Sequence, residues 1–305
     1  PMSIRLATAL TLAATSLQAE PLRIVTDTAP IQSMVQAVVG DLAEVEVLLP
    51  AGASPHDYAM RPSDAIALEN ADVVVWVGHG LTTFLEDPIE TLAKDATVVE
   101  LLDTDGWLPI ELDDHEDDHD DHSEQDEHDE HDHGDVDPHA WLAPDVQSAW
   151  IMTLANTIGQ LDPANAATYQ FNASTQNTAI VETQSAVEEV LADVRGGQFV
   201  VSHDALGYFE RAFDMPAAGA ISISDASTPG AAHIIELREI MQDLDVTCIL
   251  VDPQTSPKWA QVVAEGTGAK VAMIDPQGAA LSDGPIRSTG IMLDIATVLA
   301  DCLKE

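Results

Sequence analysis

Seven histidines crowd one stretch of the sequence, "DHEDDHDDHSEQDEHDEHDHGDVDPHAW", residues 114–141. Six of them, His115, His119, His122, His128, His131 and His133, alternate with carboxylates. The seventh, His139, stands apart in "DPHAW", beside a proline and a tryptophan. Imidazole and carboxylate are both ligands for divalent transition metals. The mixed spacing of the six does not define one rigid site, so they read as an accessory metal-collecting loop. Two other readings remain, a plain solvated acidic linker and a docking surface for a metal-donating protein.

Three further residues of ligand type stand at or just beyond strand-like segments. His56 follows "VEVLLP" in "GASPHDY", His203 follows "QFVVS", and Asp275 ends "VAMID". In open α/β sheets ligands bind beyond the carboxyl ends of the strands. His56, His139, His203 and Asp275 are therefore the candidate site. Three imidazoles and one carboxylate suit tetrahedral Zn²⁺; Mn²⁺ prefers more oxygen donors. Four protein ligands would close the coordination sphere, whereas a catalytic zinc keeps a position open for water. G-x-S-x-G does not occur, and the H-E-x-x-H match at His115–His119 lies in the acidic tract, which lacks the apolar periodicity of a helix that could hold it, so the expectation is metal capture rather than catalysis. His79, in "WVGHG", is an entry or neighbouring residue at most, and His233 reads as a surface residue. Tyr58, Ser202 and Asp204 are candidates to orient the ligands.

The elements that must position these residues alternate. "LRIVTD", "AEVEVLLP", "DVVVWVG" and "TVVELL" read as strands separated by helical segments, one of which is expected to break at Pro88. After the acidic tract come "PDVQSAWIMTLANTIGQLD" and about thirty residues without Gly or Pro, a stiff helix. Strands "QFVVS", "AAGAIS", "VTCILVD" and "AKVAMID" then alternate with helices to the end. The fold class expected is α/β, two lobes each with a parallel sheet flanked by helices and joined by a long rigid backbone helix. The expected boundaries are 1–19 for a signal peptide, 20–145 for the first lobe with a disordered loop at about 111–137, 146–195 for the helical region, and 196–305 for the second lobe.

Residues 1–19 carry Arg5 ahead of the short apolar "LATALTLAATSL" and a small residue, Ala19. That pattern predicts export, and the absence of cysteine near this segment argues against lipid attachment. The formal net charge is −42, and sixteen acidic residues between Glu111 and Asp137 account for only part of it. A field of this sign excludes nucleic acid and anionic lipid as partners and draws in cations. In an oxidising compartment the two cysteines, Cys248 and Cys302, suggest a disulfide, with two buried thiols as the alternative.

The segments "PHDYAMRPSD" (55–64), "DPHAWLAP" (137–144), "SHDALGYF" (202–209) and "VDPQTS" (251–256) occur in this order. In them the chain resembles the metal-binding solute-binding proteins of ABC importers, zinc/manganese class, and in particular the zinc branch with its His-rich loop. The resemblance runs over nearly the whole chain after the signal segment. It implies a periplasmic receptor, not an enzyme, that holds Zn²⁺ between two lobes through His56, His139, His203 and Asp275. It also implies the Cys248–Cys302 bridge and delivery to a membrane permease, while the rigid helix is expected to limit lobe motion to small tilts and loop ordering. A monomer is expected, with a periplasmic zinc-donating chaperone as a second candidate partner. A manganese or broader divalent-metal receptor is the alternative within the class. A periplasmic zinc buffer or metallochaperone and a zinc-dependent hydrolase are the alternatives outside it. One departure stands out: the tract holds more carboxylates than histidines.

Overall fold

The computed structural model describes residues 20–112, 136–223 and 225–304. The expected signal peptide and the six tract histidines lie outside the described residues.

Two four-stranded parallel sheets form the frame. The first contains β1 (Leu22–Thr26), β2 (Ala43–Val47), β3 (Val73–Trp76) and β4 (Thr97–Glu100) in the order β2-β1-β3-β4. The second contains β5 (Phe199–His203), β6 (Ala220–Ser222), β7 (Cys248–Val251) and β8 (Lys270–Met273) in the order β6-β5-β7-β8. The two sheets share one permutation. Each changes winding direction between its first and third strands, which opens a crevice beyond their carboxyl ends. β3 and β7 are buried at every position, as apolar runs of strands covered on both faces should be.

Helices cover the sheets: α1 (Ala29–Val39), α2 (Pro62–Glu69) and α3 (Glu86–Leu92) in the first half, α6 (Gly207–Phe213), α7 (Ala231–Asp243), α8 (Pro257–Ala264) and α9 (Arg287–Leu303) in the second. Pro88 does not break its segment. It lies in the first turn of α3, where the missing N–H has no intrahelical partner to lose. The two halves are joined by α4 (Pro144–Leu161) and α5 (Ala166–Leu191). The 26 residues of α5 span about 39 Å at 1.5 Å per residue. α5 packs along α4 and against both α1 and α9, so one helix touches both halves.

One buried cluster runs through both sheets and includes Trp141, Trp150, Tyr169, Tyr208 and Ile291. Polar ties cross the same boundary. Ser33 Oγ donates to the Gly284 carbonyl at 2.8 Å and accepts from the Ser288 N–H at 3.0 Å. Trp141 Nε1 donates to the Pro276 carbonyl at 2.9 Å, and Gln147 Nε2 to the Ser288 carbonyl at 2.9 Å. A shared core with satisfied buried hydrogen bonds resists wide opening. Cys248 of β7 and Cys302 of α9 form a disulfide, their Cα atoms 5.7 Å apart. Among the described residues no helix is long and apolar enough to cross a membrane.

Candidate metal centre

His56, His139 and His203 converge from three separate elements. His203 is the last residue of β5 and is buried. His56 lies in the loop after β2, where its N–H donates to Ser54 Oγ at 3.1 Å. His139 is buried and precedes the 3-10 turn Ala140–Leu142. The ligand atoms of the three lie within 4.8 Å of one another, and they are the only such group among the described residues.

The Nε2 atoms of His56 and His139 are 3.4 Å apart. Two nitrogens held at about 2.0–2.1 Å from a tetrahedral Zn²⁺ would stand about 3.3–3.4 Å apart, so this spacing suits one ion. Ring centroids are 5.4 Å apart for His139 and His203 and 6.3 Å for His56 and His203.

Two carboxylates set the orientation. His139 Nδ1 lies 2.8 Å from Asp137 Oδ1, which also accepts the His139 backbone N–H at 2.9 Å. His203 Nδ1 lies 2.8 Å from Asp252 Oδ2. A carboxylate accepts only, so each Nδ1 carries the proton and each Nε2 keeps its lone pair for a cation. Asp252 is held in turn by Ser202 Oγ, by Thr255 Oγ1 at 2.6 Å and by the N–H groups of Gln254 and Thr255.

The electrostatics bear in opposite directions on His56 and His203. Burial, with repulsion from His139 and His203, pushes His56 down to about 3. Its lone pair therefore stays available across the ordinary pH range. Burial alone would lower His203 too, but the hydrogen bond and charge of Asp252, with Asp225 and Asp204, hold it above its usual value. Burial opposes the Asp252 charge, yet His203, Ser202 and Thr255 keep that carboxyl well below the usual range.

Asp275, expected as the fourth ligand, does not join the group. Its Oδ1 accepts the Gln277 N–H at 3.2 Å and its Oδ2 the Ala280 N–H at 3.0 Å. An aspartate just beyond a strand readily binds its own turn, and this one does. His79 is also separate, with Nδ1 3.3 Å from Glu86 Oε2 and Nε2 3.5 Å from Glu100 Oε2. Tyr58 donates to Asp64 at 2.8 Å and Ser202 to Asp252, so neither bonds a histidine directly. His233 is exposed, as expected.

Asp137 and Asp252 were missed as orienting groups. Each had a signal: Asp137 stands two residues before His139, and Asp252 ends a strand next to the one that ends in His203. The tract also returns to the site. Glu111 and Val136 form an antiparallel bridge, and the Asp137 N–H donates to the Ile110 carbonyl at 2.9 Å. Both ends of the acidic tract are thus fastened one or two residues from the Asp137–His139 pair.

Residues 24–302 match the family model described as ZnuA, zinc-uptake complex component A, periplasmic. The chain is 38% identical over 320 residues to a high-affinity zinc uptake system protein ZnuA of Paracoccus denitrificans, covering 99% of this chain and 98% of that one. It is 35% identical over 314 residues to the protein of that name from Brucella suis, covering 95% and 94%. A crystal structure of ZnuA superposes with a TM-score of 0.77 at 22% identity, covering 93% of this chain and all of that one, a likeness of fold. With 279 of its residues matched and two parallel lobes around one strut, the chain belongs to the ZnuA family of periplasmic zinc-uptake components.

Proposed function

We propose that the protein is a periplasmic receptor that captures Zn²⁺ between its two lobes and delivers it to the membrane permease of an ABC importer. The observation that carries this reading is the triad of His56, His139 and His203, with Nε2 atoms 3.4 Å apart in the pair His56–His139 and two Nδ1 atoms fixed by buried carboxylates. Three imidazoles make a borderline-soft donor set that favours zinc over manganese. Family membership supports the cargo, the periplasmic location and the permease partner.

Transport needs binding without chemistry. A stiff strut, a shared core and crossing hydrogen bonds favour release by small tilts and loop adjustment over wide hinge opening. The fourth position falls to Asp275 if its turn opens, or to water. The acidic His-rich tract is an accessory collector, since its ends are fastened beside Asp137. A zinc-donating chaperone would dock there, and the receptor works as a monomer.

The test is calorimetric zinc titration of the metal-free protein, of His203→Ala and of a deletion of residues 115–133. One tight site that survives the deletion and disappears in His203→Ala is expected. Tight binding lost with the deletion, or kept in His203→Ala, would overturn the site assignment.

A further inference from the structure

Ile110 is held at both of its backbone polar groups. Its carbonyl accepts the Asp137 N–H at 2.9 Å, beside the Glu111–Val136 bridge. Its own N–H donates to Tyr208 Oη at 3.0 Å, across 98 residues of sequence. Tyr208 belongs to α6, in the lobe that carries His203. Ile110 and Asp137 belong to the stem that leads to His139. Three hydrogen bonds therefore run in series from Tyr208 through Ile110 and Asp137 to the His139 ring, at 3.0, 2.9 and 2.8 Å.

The surroundings of Tyr208 keep its hydroxyl in place. The side chain is fully buried. The Arg211 guanidinium lies 5.0 Å from its ring centroid. The Trp107 ring stands 6.2 Å away and meets Trp150 edge-on at 5.8 Å. Packing on several sides fixes a side chain's rotamer and so the direction of its polar end. The start of α6 also lies directly against the stem. A Cβ on Gly207 would meet Asp137 Oδ2 at 2.9 Å and Ile110 Cδ1 at 3.6 Å. A buried ring that only filled space would need no hydroxyl; this one is aimed at the main-chain N–H of a loop residue.

We infer that Tyr208 is a positioning residue for the metal centre, which acts through Ile110 and Asp137 to fix the His139 ring from the lobe that carries His203. Asp137 Oδ1 accepts from both the ring and the backbone of His139, so a shift of Asp137 passes directly to that histidine. Removing the Tyr208 hydroxyl leaves the part-buried Ile110 N–H without its acceptor, a cost the stem relieves by moving off α6 and carrying Asp137 with it. The link thereby also sets the separation of His139 from His203 across the lobe boundary. This rests on the reading that the three histidines hold the transported ion.

The test uses the metal-free full chain. In Tyr208→Phe, zinc affinity measured by chelator competition should fall roughly three- to tenfold. Proton NMR supplies a reading that general loosening would not give. The ring N–H signals of His139 and His203 are told apart by which one changes in Asp137→Asn and which in Asp252→Asn. In Tyr208→Phe the His139 signal should exchange faster with water, and the His203 signal should stay as it is. Ile110→Pro removes the donor and leaves Tyr208 in place; it should give the same pattern, and it stands in if Tyr208→Phe does not fold. Unchanged affinity, or two ring signals altered alike, would overturn the role of Tyr208. His203→Ala is the separate check: if it keeps tight binding, the histidine site itself fails and this role with it. If it loses tight binding while Tyr208→Phe binds normally, only the positioning role falls.

Discussion

His139 and His203 each direct Nδ1 at a buried aspartate 2.8 Å away, one from its own loop and one from a neighbouring strand. The first pair is local, Asp137 and His139 being two residues apart; the second joins β5 to the end of β7 across 49 residues. Two different routes lead to the same device, an imidazole of fixed tautomer with its Nε2 directed to the metal position. Replacing either aspartate by asparagine keeps the shape but lets the tautomer change. Zinc affinity of Asp137→Asn and of Asp252→Asn should fall by roughly 10- to 100-fold, measured by competition with a chelator. Thermal unfolding of the metal-free proteins would show whether the fold is kept.

Gly207, at the start of α6, gives Asp137 its room. A Cβ there would stand 2.9 Å from Asp137 Oδ2, too close for either to stay in place. Gly207→Ala should push the aspartate off His139 and weaken zinc binding several-fold. The fold should hold, because the displaced atom ends a side chain rather than belonging to the backbone. The same chelator competition, with a thermal melt as control, checks this.

Glu210 makes a prediction about pH. Burial pushes its carboxyl up to about 7, from the ordinary value of 4.5, against the one N–H it accepts, from Ala217. Between these values the folded chain holds a proton that the unfolded chain has lost, so this group's contribution to stability falls as pH rises through the interval. Glu210→Gln should therefore stabilise the metal-free protein at pH 8 by up to about 3 kcal/mol, with the difference gone below pH 4.5. Urea unfolding at both pH values checks it. A difference that grows on acidification would mean the carboxylate is stabilised in the fold.

The Cys248–Cys302 bridge closes a loop across 54 residues and staples α9 to the middle of the second sheet. By loop entropy it stabilises the fold by about 4 kcal/mol. Cys302→Ser should lower the unfolding midpoint accordingly, and reducing agent should then have no further effect. Zinc titration should still find the triad, since the bridge lies at the opposite end of β7 from Asp252.

Much of the architecture was legible in the sequence because it depends on local pattern. The apolar runs "VVVW" and "CILV" are strands, and the segment without Gly or Pro after Pro163 is the long helix α5. His56 and His203 could be singled out because each stands at or beyond the end of a strand, where parallel sheets place ligands, and His139 because its "DPHAW" setting differs from the acidic tract before it. Tertiary structure decided what those residues do for one another. Whether a carboxylate aims at a metal or at its own turn depends on which donors surround it. Asp275 met the N–H groups of Gln277 and Ala280, whereas Asp252 met His203. Strand order, absent from any one segment, brought β7 beside β5 and so gave Asp252 its histidine. Residue type and spacing determined which groups could bind a cation; packing across distant strands decided which of them meet around one point.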